Sequence, residues 1–120
     1  MPHRLAAAIG QYGERLAARY LRDLGYAVLE VNWRCPLGEI DIVARDGSTL
    51  VVCEVKTRRG ASFGTPQEAV TPLKLARLRR LAATWADQRP GDYGDVRVDV
   101  VAVSRPPTGP AVVEHLIGVG

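Results

Sequence analysis

Hydrophobic and polar positions along this chain follow two periods. From Leu5 to Leu24 the apolar and small residues Ile9, Gly13, Leu16, Ala17, Tyr20, Leu21 and Leu24 recur three and four apart, which is one face of a helix. Gly25 then supplies a stop, since glycine takes the left-handed conformation that ends helices without steric cost. After it the period falls to two. Tyr26–Arg34 reads as a first strand. Ile40, Ile42 and Ala44 alternate with Glu39, Asp41 and Val43 in a second, and Asp46-Gly47 is a tight-turn signal. The returning strand, Thr49–Thr57, is apolar on both faces until Glu54, which predicts a central place in a sheet.

A second helix is expected from Gln67 to Gln88, with Val70, Leu73, Leu78, Leu81, Ala82 and Trp85 as its buried stripe. Pro72 would remove a hydrogen bond from a helix interior. The pattern accommodates it as a restart, with Thr71 as cap and Pro72 as first helical residue. Val96–Val103 is a clear strand, and Ala111–Ile117 reads as a last one. The first three strands should form an antiparallel meander. The second helix should then cross over and lay the fourth strand parallel to a meander strand. The expected class is α/β, a mixed sheet of about five strands flanked by helices.

Length and composition narrow the picture. A chain of 120 residues fits one domain, and 47% hydrophobic with 24% charged residues is ordinary for a globular protein. No apolar run approaches the ~20 residues that span a membrane. Gln11, Glu14 and Arg15 interrupt any signal-peptide core, so a cytoplasmic protein is expected. Cys35 and Cys53 fit no metal spacing and are expected reduced. His3 and His115 lie at opposite ends, which argues against a zinc site or a His-based triad. The net charge of +3 suits an anionic partner without demanding one.

The candidate chemistry lies in "VVCEVKTRRG", Val51–Gly60. Glu54 and Lys56 are two apart on a strand and share a face. A surface ion pair there would contribute little. Reflection across Asp46-Gly47, however, sets Asp41 opposite Val52 on that same face. Asp41 and Glu54 then become diagonal neighbours with Cβ atoms ~7–8 Å apart. Two carboxylates so placed can share a hard divalent cation. Such an ion activates water and stabilises charge on a phosphate, while an amine beside it can orient the attacking water. Glu14 lies three before Ala17 and seven before Leu21, on or beside the apolar stripe, where a carboxylate is costly without a partner such as a cation. Cys53, on the opposite face with Val51 and Val55, reads as a small buried hydrophobe. Trp33 and Trp85 read as packing residues, whereas Tyr12 and Phe63 sit near the site elements. The basic residues of the loop and second helix form either a solvated face or a phosphate-contacting rim. Arg58 and Arg59, which follow Lys56 directly, are assigned to the rim, with Lys74 as a further nucleic-acid contact. Arg77, Arg79 and Arg80 stay open between the two.

The segment "GEIDIVARDGSTLVVCEVKTRRG" resembles the Asp…Glu-x-Lys core of the restriction-endonuclease-like superfamily of metal-dependent nucleases. More closely, through "GQYGERLAARYL", "GYAVLEVNWR", "GEIDIV", "EVKTRR", "FGTPQEAVTPLK" and "VRVDVVAV", nearly the whole chain resembles the YraN-like family of small bacterial proteins. The order of elements also resembles archaeal Holliday-junction resolvases. The resemblance implies a single restriction-endonuclease-like domain over residues 1–120. It implies Asp41 and Glu54 as ligands of Mg²⁺ or Mn²⁺, Lys56 as the residue that positions water, and Glu14 as the match to the resolvases' helix acid. Gln67 and Glu68 match auxiliary polar positions only loosely. Ile40 stands where the superfamily's usual description has proline. The implied activity is hydrolysis of DNA phosphodiesters, in DNA rather than RNA and at branched or structured sites. A homodimer would suit two-strand cutting. Two alternatives stay open: a module that binds nucleic acid without cutting, and a protein whose acidic pair binds a cation structurally. Glu39 stays open between a supporting acid and a solvated residue.

Overall fold

In the computed structural model the two periods become two helices on opposite faces of one sheet. The structure describes residues 2–59, 70–91 and 93–120, with the backbone alone for residues 2–9 and 59. The elements are α1 (Pro2–Asp23), β1 (Ala27–Cys35), β2 (Gly38–Asp46), β3 (Thr49–Arg59), α2 (Pro72–Asp87), β4 (Val96–Arg105) and β5 (Val112–Leu116). The strands lie in the order β1-β2-β3-β4-β5. Three of the four pairings are antiparallel, and β3 with β4 is parallel, as a helical crossover between them requires. This is the expected mixed α/β architecture, compatible with a restriction-endonuclease-like fold. No helix among the described residues is long and apolar enough to cross a membrane.

β3 is central, and its side chains alternate between two cores. Leu50 and Val52 pack with Leu78, Leu81, Ala82 and Trp85 of α2, together with Trp33. Val51 and Cys53 pack with Ala17, Ala18 and Leu21 of α1. All four β3 residues are fully buried, which accounts for a strand apolar on both faces. Both cysteines are free. α1 comes close to the sheet at Gly13, where a Cβ would lie 1.8 Å from Thr57 Oγ1. Only a residue without a side chain permits that approach.

α2 starts as the restart at Pro72 predicts. Thr71 is extended, and its hydroxyl accepts from the Lys74 N–H at 3.2 Å. Gln67 to Ala69, the expected first turn, lie outside the described residues. Leu73, expected in the buried stripe, is 71% exposed. The stripe is Leu78, Leu81, Ala82 and Trp85; stepping back three and four residues from Leu78 reaches Leu75 and Lys74, and Leu73 falls off that face.

The hairpin register differs from expectation by two residues. Asp46 pairs with Thr49 and Val43 with Val52, so Gly47 and Ser48 form the turn instead of Asp46 and Gly47. Gly47 has φ of +60°, the positive value that a two-residue hairpin turn demands at its first central position. The pairs run to Ile42↔Cys53, and one step further sets Asp41 across from Glu54, not from Val52. Because the shift is even, Asp41 still shares the Glu54 face. A second difference lies beside it. Ile40, Ile42 and Ala44 should share one face, yet Ile40 packs beneath α2 while Ile42 and Ala44 pack beneath α1. β2 therefore turns over at Asp41, where its ladder with β3 ends. Across on β1, Asn32 has φ of +58°, a conformation that asparagine tolerates better than most residues.

Candidate metal and phosphate site

Where β2 leaves β3, backbone groups of β3 lose their ladder partners. The Val55 N–H finds one in the Asp41 side chain, donating to Oδ2 at 2.8 Å. This bond fixes the carboxylate in the gap. Asp41 and Glu54 both line a cleft of about 580 Å³. Glu39 adds a third acid to its wall, Lys74, Arg77 and Arg34 supply the basic side, and Leu78 and Leu81 form an apolar floor. α2 brings its cations here for a geometric reason. Lys74 is four before Leu78 and Arg77 four before Leu81, so both stand one turn above buried leucines.

Electrostatics in the cleft are strained in one direction. Burial pushes the Asp41 carboxyl up to about 7, and the negative Glu54 pushes the same way; the Val55 N–H opposes them. Glu14 is also raised, by burial and then by Glu39, with Arg34 acting against. Its carboxylate accepts from Asn32 Nδ2 at 2.9 Å, outside the cleft wall. The left-handed backbone at Asn32 thus serves to join α1 to the point where β1 and β2 twist. Glu54 is paired: Lys74 Nζ lies 2.5 Å from its Oε1. Arg34 and Glu39 form an exposed pair at 3.2 Å.

The structure brings Asp41 and Glu54 onto one cleft and sets Glu14 close enough to act on Asp41. Lys56 lies on β3 opposite Ala102, exposed, and is not part of the cleft wall. The cation that meets Glu54 is Lys74. Arg58 follows two residues on, half-buried. The side chain of Arg59 and all of Phe63, Gln67 and Glu68 lie outside the described residues. Cys35 ends β1 and lines the cleft.

A divalent ion fits these acids in a limited sense. Asp41 carries a raised affinity for a proton because it is buried and, to a smaller extent, because it faces the Glu54 carboxylate, and a bound cation would favour its charged form. Among the described residues no three His, Cys, Asp or Glu side chains are grouped to hold a metal. The donor set therefore suits an ion that takes one or two carboxylates and completes its shell with water and phosphate, not a closed protein cage.

A second polar cluster lies beneath the other end of α1, and the sequence reading missed it. Asp99 is fully buried on β4. Its Oδ1 accepts from Arg97 Nε and the Gly118 N–H, both at 2.9 Å. Its Oδ2 meets Arg97 Nη2 at 3.0 Å and His115 Nε2 at 2.8 Å. Burial acts to raise this carboxyl, but the bonds from His115, Arg97 and Gly118 outweigh it and hold the group below the ordinary range. His115 Nδ1 in turn lies 3.3 Å from the Tyr20 hydroxyl. An acid in the middle of "VRVDVVAV" was the available signal.

Fold and cleft together define a small α/β protein with a pair of buried-side acids facing a basic helix across a cleft. The chain belongs to the family described as Uncharacterised protein family UPF0102, whose sequence model matches residues 13–103. A UPF0102 protein of Kineococcus radiotolerans is 62% identical over 113 residues, covering 93% of either chain. One of Beutenbergia cavernae is also 62% identical over 113 residues, 94% of this chain and 96% of its own. UPF0102 protein FRAAL5785 of Frankia alni is 54% identical over 118 residues, 98% of each.

Proposed function

We propose that this protein is a metal-dependent endonuclease acting on DNA phosphodiesters, a member of the restriction-endonuclease-like superfamily. The observation that carries the reading is the meeting of Asp41 and Glu54 on one cleft, with the Asp41 carboxyl pushed up to about 7 by burial and by Glu54. Asp41 and Glu54 would hold Mg²⁺ or Mn²⁺, and Glu14 would add negative charge from α1. The bound ion supplies activation of water and stabilisation of charge on phosphate. Lys56, next along the Glu54 face, serves the attacking water, while Arg58, Arg59 and Lys74 hold the backbone phosphates. Branched or structured DNA is the preferred substrate, acted on by a homodimer, in the cytoplasm.

One observation favours a second reading, a nucleic-acid-binding module that does not cut. Glu54 is already neutralised by Lys74, and Lys56 stands outside the cleft wall. The readings part when pure protein is incubated with labelled duplex, flap, four-way junction and RNA in Mg²⁺, Mn²⁺ or EDTA. Asp41→Asn, Glu54→Gln and Lys56→Ala run beside the wild type. Metal-dependent cutting lost in all three variants supports the nuclease. Salt-sensitive binding without cutting supports the module. Cutting by the variants at the wild-type rate removes this site from consideration.

A further inference from the structure

Lys74 does something more specific than line a cleft. Its ammonium sits on Glu54, one of the two acids proposed above as metal ligands, at 2.5 Å. Glu54's side chain is 14% exposed and Lys74's 40%, so the pair is sheltered on the acid's side and open on the amine's. The backbone at Lys74 is fixed, because its N–H donates to the Thr71 cap and the helix is anchored one turn on by Leu78. The amine stands at the end of a flexible four-carbon stem on the open side of the pair. The cleft wall carries three acids (Asp41, Glu54, Glu39) and three bases (Lys74, Arg77, Arg34), formally neutral without an ion. A divalent ion would change that balance to +2 and place a positive charge against the ammonium.

We infer that Lys74 is an internal counter-cation which a divalent ion must displace from Glu54, and that the displaced amine becomes a phosphate contact. The inference rests on the metal-binding reading of Asp41 and Glu54. Its consequence is coupling. Metal releases Lys74 toward nucleic acid, and nucleic acid, by holding Lys74 away from Glu54, tightens metal by the same factor. An ion without a phosphate chain must compete with the ammonium, so the site loads poorly until substrate arrives.

The test is Mn²⁺ binding by calorimetry in the absence of nucleic acid, on wild type, Lys74→Met, Lys74→Gln and Arg77→Met, each first shown to melt cooperatively. Loss of a half-sheltered ion pair predicts that both Lys74 variants bind Mn²⁺ about three- to tenfold tighter than wild type. Arg77→Met removes the same charge from the same cleft without touching Glu54 and should change affinity less than twofold. In Ca²⁺, the tightening of a duplex oligonucleotide by the ion should shrink in Lys74→Met. Equal or weaker Mn²⁺ binding by the Lys74 variants overturns the inference while leaving the metal site standing. An equal gain in Arg77→Met also overturns it, since the effect would then be the general field of the cleft. Absence of Mn²⁺ binding in every protein, wild type included, overturns the metal reading itself.

Discussion

At Asp41 the side chain accepts the Val55 N–H while burial and Glu54 raise its carboxyl to about 7. An asparagine keeps an acceptor for that N–H and carries no charge. Without divalent ions, Asp41→Asn should therefore stabilise the protein at pH 8 by on the order of 2 kcal/mol in urea denaturation, and by much less at pH 4. Equal stability of the two proteins at pH 8 would sink the strained-carboxylate description. Asp99 behaves in the opposite sense. It holds Arg97, His115 and the Gly118 N–H together; its charge is one of two that Arg97 faces, the other being Asp46 at 3.0 Å, and its loss weakens the bonds to all three groups. Asp99→Asn should lower stability by about 3 kcal/mol at pH 7, because one partner of a buried pair is removed and the other stays. The aspartate in "VRVDVVAV" was visible in the sequence, but its partners were not. His115 and Gly118 lie 16 and 19 residues further on and meet it only through β4–β5 pairing. The distance between His3 and His115 along the chain argues against a zinc site or triad, but it carries no information on His115 as the partner of a buried acid.

Among the elements, the pattern of apolar positions was enough to place β3 at the centre, because a strand buried on both faces has few alternatives, and to set β4 parallel to a strand of the meander, which the structure identifies as β3. It was enough to put Asp41 and Glu54 on one face even with the turn misplaced by one residue, since that moves the pairing register by two and an even shift preserves parity. It could not reveal that β2 turns over at Asp41, for that twist arises where the ladder with β3 ends and Asn32 adopts a positive φ. Nor could it show that Lys74 would meet Glu54. That contact depends on which residues of α2 dock, and Leu73 was wrongly counted among them. The α1–β3 approach yields a prediction of its own. Alanine at Gly13 improves helix propensity by ~1 kcal/mol. Its Cβ would fall 1.8 Å from Thr57 Oγ1, and overpacking of this kind costs about 1–3 kcal/mol. At 1.8 Å the cost should fall in the upper part of that range and outweigh the gain, with Gly13→Ala less stable than wild type by up to about 2 kcal/mol. In a Thr57→Ala background, where the nearest remaining atom is Cβ at 3.0 Å, the same substitution should be close to neutral. Thermal melts of the four proteins check this as a double-mutant cycle.

For the molecule as a whole, the two aspartates set opposite limbs of one stability curve. Asp99 has a folded pKa below its ordinary 3.8. Its contribution is complete above that value and is lost as pH falls below it, through the folded pKa. Asp41 has a folded pKa raised from 3.8 to about 7. In that interval the folded protein binds more protons than the unfolded chain, so stability declines as pH rises and the full penalty is reached above 7. Metal-free protein should therefore be most stable in the mildly acidic range and lose stability toward both pH 3 and pH 8. Asp41→Asn should flatten the alkaline limb alone, and Asp99→Asn the acidic limb alone, because the two groups lie in separate clusters. Adding Mn²⁺ should recover stability at pH 8 and do little at pH 4.5, where Asp41 is protonated and the ion must compete with that proton. Urea denaturation of the wild type and the two variants from pH 3 to 8.5, with EDTA or Mn²⁺, measures all of this. An alkaline limb that survives Asp41→Asn would mean that another group produces it. Mn²⁺ stabilisation that does not grow from pH 4.5 to 8 would mean that the ion binds elsewhere than at Asp41.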